Sequence, residues 1–235
     1  MRFILALLIF ISACSPGIDR SSIDIASLVL PDNQKTSQTI QCGLLESQTI
    51  RGLESLIPKF ITDLKTSVSL DSAFIYFDQT QIGNFFLEFT NKNMDKELDE
   101  KFLSNEFIKT QCIDTLDKAP NYTLINSLLP ELNVPYLVER SLCEFQEEKG
   151  YVDLMLAVNR LIDSGLLENT TIGSNLRQLT NNVSFEWSNW FSNKTDLIAF
   201  KEAFISDTLG KEIQQEFKAA ATCLGSQKFQ AYRLI

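Results

Sequence analysis

The stretch that decides the fold prediction is NKTDLIAFKEAFISDTLGKEIQQEF, residues 193–217, because it repeats an earlier part of the chain. Without gaps, it aligns with DQTQIGNFFLEFTNKNMDKELDEKF, residues 78–102, and six positions are identical. Phe200 and Phe204 match Phe85 and Phe89, and residues four apart lie on one face of a helix. We therefore predict a helix in both stretches, each with a threonine, Thr80 or Thr195, as its N-cap.

The repeat extends outward on both sides of these stretches. Cys42 aligns with Cys143, and Cys112 aligns with Cys223 in the same order. We predict two diverged copies, residues 42–125 and 143–235, joined by a connector over residues 126–142. The alternative that stays open is a coincidental likeness between amphipathic helices.

Apolar spacing within each copy favours helices. The first copy has apolar residues at i, i+3, i+4 and i+7 from Leu53 to Leu64, and the second has them from Leu154 to Leu166. The run Phe74-Ile75-Tyr76-Phe77 could form a strand, but in this context we predict a buried helical turn. The predicted fold class is all-α, made of two tandem helical copies.

The four cysteines within the copies are expected to form disulfides. None lies in a Cys-x-x-Cys motif, which argues against zinc or thioredoxin-like redox chemistry. Of the three possible pairings, Cys42 with Cys112 and Cys143 with Cys223 is the one that respects the duplication. We predict that one structural disulfide closes each copy.

The N-terminus carries a targeting signal. Arg2 is followed by a nine-residue apolar run and then by Ile11-Ser12-Ala13-Cys14, which has the layout of a cleaved secretory signal. The last four residues resemble the lipobox of bacterial lipoproteins. This resemblance implies cleavage after residue 13 and a lipid on Cys14, and Ser15 after it resembles an outer-membrane sorting signal.

Charge limits the partners of the mature chain. The full chain has a net charge of −9, and removal of the leader leaves 20 Lys and Arg against 30 Asp and Glu. An acidic chain is repelled by nucleic-acid phosphates, so we predict no nucleic-acid partner. Residues 14–41 are rich in small polar residues, and we predict a lipidated, flexible tether that holds the protein on the periplasmic side of the membrane.

The chain contains no histidine. This excludes a Ser-His-Asp triad, a Cys-His dyad and imidazole metal sites. Gly-x-Ser-x-Gly, Ser-x-x-Lys and Gly-rich phosphate loops are absent from the sequence as well. We therefore predict no catalytic residues, no metal site, no cofactor and no enzymatic activity.

One aromatic set is the candidate for a ligand pocket or a partner surface: Phe185, Trp187, Trp190 and Phe191. Spacings of three and four residues would place its members together on one side of a helix. The same spacing is typical of an ordinary core stripe, so both interpretations stay open.

Residues 78–102 and 193–217 also resemble a family of small all-helical periplasmic domains of unknown function. The likeness rests on Thr195, Phe204-Ile205-Ser206 and Gly210-Lys211, without the proline of the family pattern. It implies a helical envelope protein. The predicted function is a lipid-anchored, non-enzymatic helical module that binds another envelope protein, and the alternative is a periplasmic carrier of an apolar small molecule.

Overall fold

The structure, a computed structural model, describes residues 23–44, 49–67, 70–91, 104–168, 170–180 and 183–235. Within these ranges the strands are β1 Gln34–Gly43, β2 Ser72–Asp78, β3 Asn84–Asn91, β4 Cys112–Asn126, β5 Pro135–Phe145, β6 Ile172–Gln178, β7 Ser184–Phe191 and β8 Ala221–Arg233. The α-helices are α1 Ile50–Ser67, α2 Glu106–Gln111, α3 Tyr151–Asp163, α4 Lys194–Ser206 and α5 Thr208–Ala220.

The strands close into a single antiparallel barrel in the order β1-β3-β2-β8-β5-β7-β6-β4. The prediction of an all-α fold is therefore wrong. Strand β2 shows why: it contains Phe74-Ile75-Tyr76-Phe77, with apolar side chains at consecutive positions. Helices cover the outer face of the sheet and the barrel interior covers the other, so the alternation that marks a half-exposed strand is missing.

The two halves of the barrel share one order of elements. The first runs β1-α1-β2-β3-α2-β4, and the second runs β5-α3-β6-β7 and then two helices, α4 and α5, before β8. Helices α1 and α3 confirm the helices predicted around Leu53 and Leu154, and both residues are buried.

A disulfide joins the first and last strands of each half. Cys42 lies opposite Cys112 across β1 and β4, and Cys143 lies opposite Cys223 across β5 and β8. These are the pairs that the repeated order of cysteines indicates. The linked residues are 70 and 80 positions apart, and closing a loop of that length stabilises a fold by about 4 kcal/mol in the chain-entropy model.

The alignment of residues 78–102 with 193–217 does not pair equivalent elements. It places strand β3 against helix α4. The counterpart of β3 is β7, because Phe85 lies opposite Cys42 as Phe185 lies opposite Cys143. The predicted threonine caps are also wrong.

Asn193 caps α4 by accepting hydrogen bonds from the amides of the second and third residues after it. Thr80 precedes strand β3, where Asp78 Oδ1 accepts its amide N–H.

The predicted boundaries of the tether and of the connector differ from those in the structure. The predicted tether reaches residue 41, whereas β1 begins at Gln34. The predicted connector, 126–142, is shorter in the structure, because β5 begins at Pro135. The leader, the lipobox with Cys14, and residues 92–102 of the repeat lie outside the described residues.

No helix in the described part of the chain is long and apolar enough to cross a membrane.

The barrel wall has two differently filled faces. Outside, the helices bury apolar side chains against the strands, for example Leu53 and Phe60 of α1 against Ile75 and Phe85. Inside, an aromatic belt fills the middle of the lumen: Phe74, Tyr76, Phe86, Tyr136, Trp190 and Phe229. Neighbouring residues of one strand therefore lie in separate environments.

Candidate functional site

Strand β7 divides the predicted aromatic set between the two faces of the barrel wall. Phe185, Trp187 and Phe191 lie on the outer face, where helices of the second half cover them. Trp190 lies in the lumen. The set is therefore not one surface, because a strand alternates its side chains with a period of two, whereas the prediction assumed helical spacing.

A groove lies between the outer face of the second half and helices α3, α4 and α5, with a volume of about 740 Å³. We call it the C-terminal groove. Its aromatic walls are Phe185 and Trp187 from the sheet and Phe200, Phe204 and Phe217 from the helices. The Trp187 and Phe217 rings meet edge to face at 5.7 Å. A concave, mostly apolar space of this size is typical of small-molecule sites.

Three polar side chains of the C-terminal groove form a fixed cluster on its floor. Asn189 Oδ1 accepts a hydrogen bond from Trp187 Nε1 at 2.8 Å and lies 2.6 Å from Ser174 Oγ, which donates to it. Ser174 is fully buried and lies directly opposite Asn189 on the neighbouring strand. Because both donors hold Asn189 Oδ1, the orientation of the amide is set and its NH₂ group stays available to donate.

Two lysines also line the C-terminal groove. Lys201 Nζ lies 2.7 Å from Glu139 Oε1, and Lys218 Nζ donates to Gln214 Oε1 at 3.3 Å. The charge of Lys201 is therefore balanced by a carboxylate.

The lumen contains a buried ionic network instead. Arg140 donates to Glu88 Oε2 at 2.8 Å, and its guanidinium carbon lies 4.6 Å from the centre of the Phe86 ring. Arg177 donates to Glu186 at 3.0 Å and to Asp117 at 2.6 Å. A buried charge is tolerated when it is paired and hydrogen-bonded, as both arginines are.

Burial and charge together shift two pKa values in the lumen. Burial is the largest single influence on the pKa of Arg140 and would lower it, but the combined effects of Glu88, Tyr76 and Glu186 outweigh burial and raise that pKa. Burial, and then Glu88, raises the pKa of Tyr76 well above its usual value. At neutral pH the network therefore contains a cationic arginine and a neutral phenol.

Apart from Trp187, the polar residues of the C-terminal groove and of the lumen were not identified from the sequence. Glu88 gave one usable signal, since it interrupts the apolar run Phe85-Phe86-Leu87 before Phe89, where a charge needs a buried partner. Ser174 and Asn189 gave none, because their pairing depends on the register of β6 with β7. Among the described residues there is no group of three or more His, Cys, Asp or Glu that could hold a metal ion.

No protein-family model matches the chain, and no curated protein matches it. Solved structures do. A candidate monooxygenase from Lactobacillus acidophilus NCFM superposes with a TM-score of 0.57 at 8% identity, covering 86% of this chain and 95% of the other. An anthrone oxidase-like protein superposes with a TM-score of 0.53 at 10% identity, covering 86% of this chain and 94% of the other. A heme-binding protein from Thermus thermophilus superposes with a TM-score of 0.51 at 8% identity, covering 86% of this chain and 91% of the other.

These likenesses, all at 10% identity or lower, establish a shared fold. The prediction of a non-enzymatic helical module is wrong, because the chain is a barrel whose structural relatives are described by enzymatic and ligand-binding roles. The expectation that the chain is not an enzyme rested on the absence of histidine and of recognisable catalytic motifs, and the descriptions of structures that share this fold, a candidate monooxygenase and an anthrone oxidase-like protein, contradict it.

Heme does not fit the C-terminal groove. Among the described residues that line it there is no His, Met or Tyr, and its cysteine, Cys223, is bonded to Cys143. Imidazole, thiolate, thioether and phenolate are the side-chain groups that hold heme iron. The groove therefore suits a ligand held by apolar contact and hydrogen bonds.

Proposed function

We propose that this protein binds a largely apolar organic molecule in the C-terminal groove, with one carbonyl or similar oxygen of the ligand held by Asn189. The observation that carries the proposal is the fixed Asn189 amide on the floor of a groove whose other walls are mostly aromatic. The aromatic walls supply the affinity, and the single oriented donor supplies the direction in which the ligand lies.

Anthrone is a suitable probe, since it has an apolar three-ring body and one carbonyl. The chain has two tryptophans, so the Trp190→Phe variant retains only Trp187, at the groove wall. We expect anthrone to quench the fluorescence of this variant saturably. A linear response at every anthrone concentration would contradict the proposal.

Asn189→Ala tests the role of the amide. One lost hydrogen bond is worth about 0.5–1.5 kcal/mol, so anthrone affinity should fall about two- to tenfold. Asn175→Ala is the matched control, because Asn175 lies on β6 beside Ser174 but borders the lumen. Equal losses in the two variants would mean that Asn189 acts on the fold and not on the ligand.

A second candidate is oxidation of the bound molecule, favoured by the descriptions of two structural relatives as a candidate monooxygenase and an anthrone oxidase-like protein. The test is oxygen uptake during the anthrone titration. Uptake that saturates with groove occupancy and falls in Asn189→Ala supports an enzyme, and binding without uptake supports a carrier.

The lipid on Cys14, the location in the bacterial envelope, a membrane contact through that lipid and an envelope protein partner stay predictions. They rest on Ile11-Ser12-Ala13-Cys14 and the apolar run before it. Mass spectrometry of the mature N-terminus tests the lipid directly. Cys14→Ser should release the protein from the membrane fraction, because the acyl chains supply the attachment.

A further inference from the structure

The charged side chains that line the C-terminal groove all have the same sign. Lys201 of α4 and Lys218 of α5 line it, and among the described residues of this lining there is no Asp or Glu. The chain as a whole has 30 Asp and Glu against 21 Lys and Arg, so its composition alone would favour an acidic lining. The groove is therefore a positively charged site on an acidic protein.

The two lysines differ in what neutralises them. Lys201 Nζ lies 2.7 Å from Glu139 Oε1, and Lys228 approaches the same carboxylate to 4.0 Å. Lys218 donates to the neutral side-chain oxygen of Gln214 at 3.3 Å, and within the described part of the chain it forms no ion pair. The described residues therefore leave the charge of Lys218 without a counter-ion.

The polar groups that the groove offers to a ligand are donors that a ligand can reach. Asn189 is half-buried, and its Oδ1 is already held by Trp187 and Ser174, which leaves the NH₂ group to donate. Lys218 is exposed and has N–H groups beyond the one given to Gln214. A ligand that satisfies both has an oxygen acceptor at each end, and the acceptor at Lys218 binds best if it is an anion.

The corresponding cavity of the first half has the opposite charge. It lies on the outer face beside α1, has a volume of about 610 Å³, and has apolar walls that include Ile75 and Phe85. Its charged lining residues are Glu54 and Asp78, and among the residues described there it has no Lys or Arg. Apolar walls in this fold therefore occur with either sign of charge, and the C-terminal groove is the one that suits an anion.

We propose, on the basis of the function proposed above, that the ligand of the C-terminal groove is an aromatic acid. It has a flat ring body with an oxygen at one end and a carboxylate or similar acidic group at the other. The rings pack among the five aromatic side chains of the walls, the oxygen accepts from Asn189, and the acid accepts from Lys218. An exposed ion pair changes affinity by up to about fivefold, so the acid supplies selectivity and the walls supply most of the binding.

Three derivatives of anthraquinone test the charge. They carry a carboxylate, a hydroxymethyl or an aminomethyl group at the same ring position and are otherwise identical. The full chain with Trp190→Phe reports their binding through quenching of Trp187. We expect the carboxylate to bind about two- to fivefold more tightly than the alcohol at low salt, and the amine to bind no more tightly than the alcohol. Added salt should shrink the advantage of the carboxylate.

Lys218→Met tests the lysine. It should abolish the preference for the carboxylate and leave the affinity for the alcohol unchanged, because the aromatic walls stay in place. Lys211→Met is the matched control, since Lys211 is exposed on the same helix but does not line the groove. This variant should keep the preference.

Equal affinities for the carboxylate and the alcohol would overturn the acidic ligand while leaving the groove as a binding site. A preference that persists in Lys218→Met, or that Lys211→Met abolishes equally, would also overturn it, because Lys218 would then not be the group that holds the acid. Tighter binding of decanoate, an acid with a flexible chain, would overturn the ring body. If neither anthrone nor any anthraquinone quenches Trp187 saturably, the function proposed above fails as well.

Discussion

The two tryptophans of β7 lie three residues apart and belong to two different kinds of interior. Trp187 borders an apolar groove in which Trp187 and Ser174 both donate hydrogen bonds to the Asn189 side-chain oxygen. Trp190 borders a lumen that contains buried charges, and its own N–H has no hydrogen-bond partner among the described residues. One strand thus supplies a binding wall on one side and an ionic core on the other, because its side chains alternate across the barrel wall.

The largest difference between the regions should appear when Arg140 is replaced by Met. This removes the partner of Glu88, which is only 4% exposed, and stranding one member of a buried pair costs about 3–5 kcal/mol. Denaturant unfolding measures the loss. Adding Glu88→Gln should recover part of it, since no buried charge is then left alone. A loss below about 1 kcal/mol for the single variant would show that water reaches this pair.

Alkaline pH should weaken the fold through tyrosines on both sides of the wall. Burial, and then the charge of Asp24, raises the pKa of Tyr122 to about 12, and burial also raises the pKa values of Tyr76 and Tyr151. The unfolded chain loses these protons near pH 10, before the folded chain does. Stability should therefore fall as pH rises from about 10 to 12, by about 1–3 kcal/mol for a shift of this size.

Denaturation curves at increasing pH measure this fall, and the ultraviolet absorbance of tyrosinate counts the phenols that ionise. Tyr122→Phe should make the fall shallower. If all five tyrosines ionise together near pH 10 in the folded protein, the burial argument is wrong.

Two helical glycines should respond oppositely to alanine. A Cβ on Gly210 would lie 2.1 Å from the carbonyl oxygen of Ala203, where α5 meets α4, so Gly210→Ala should cost about 1–3 kcal/mol. A Cβ on Gly52 of α1 would lie 3.7 Å from its nearest neighbouring atom, which is an ordinary contact distance. Gly52→Ala should therefore stabilise the protein by about 0.5–1 kcal/mol. Thermal unfolding measures both. Gly210→Ala should also alter Trp187 emission while the Trp190 indole resonance stays in place.

The sequence predicted the parts of this architecture that depend on local spacing or chain order. Helices α1 and α3 follow from apolar residues at helical intervals, as with Leu53 and Leu154. The disulfide pairs follow the order of the cysteines, and Cys42 and Cys143 hold matching positions in the two halves.

The strands could not be recognised, because both of their faces are covered. In β2, Phe74 and Tyr76 enter the lumen core, whereas Ile75 packs against the helices, so the run appears uniformly apolar. The site depends on pairings between distant strands. Glu88 and Arg140 are 52 residues apart, and only the closed barrel brings them together.

The smallest effect should come from the lysine at the edge of the C-terminal groove. Lys201 lies 2.7 Å from Glu139, but its side chain is 46% exposed, and exposed ion pairs contribute about 0–1 kcal/mol. Lys228 lies 4.0 Å from the same carboxylate and would still face Glu139 in Lys201→Met. That variant should therefore unfold within about 0.5 kcal/mol of the parent, and added salt should shrink the difference further.

Lys228→Met should change the free energy of unfolding equally little. The double variant should lose more stability than the sum of the two single losses, because Glu139 then faces neither cation. A double-mutant cycle in denaturant at low salt measures that excess. If Lys201→Met alone costs as much as Arg140→Met, the groove edge is as dry as the lumen, and the contrast between the two faces of β7 does not hold.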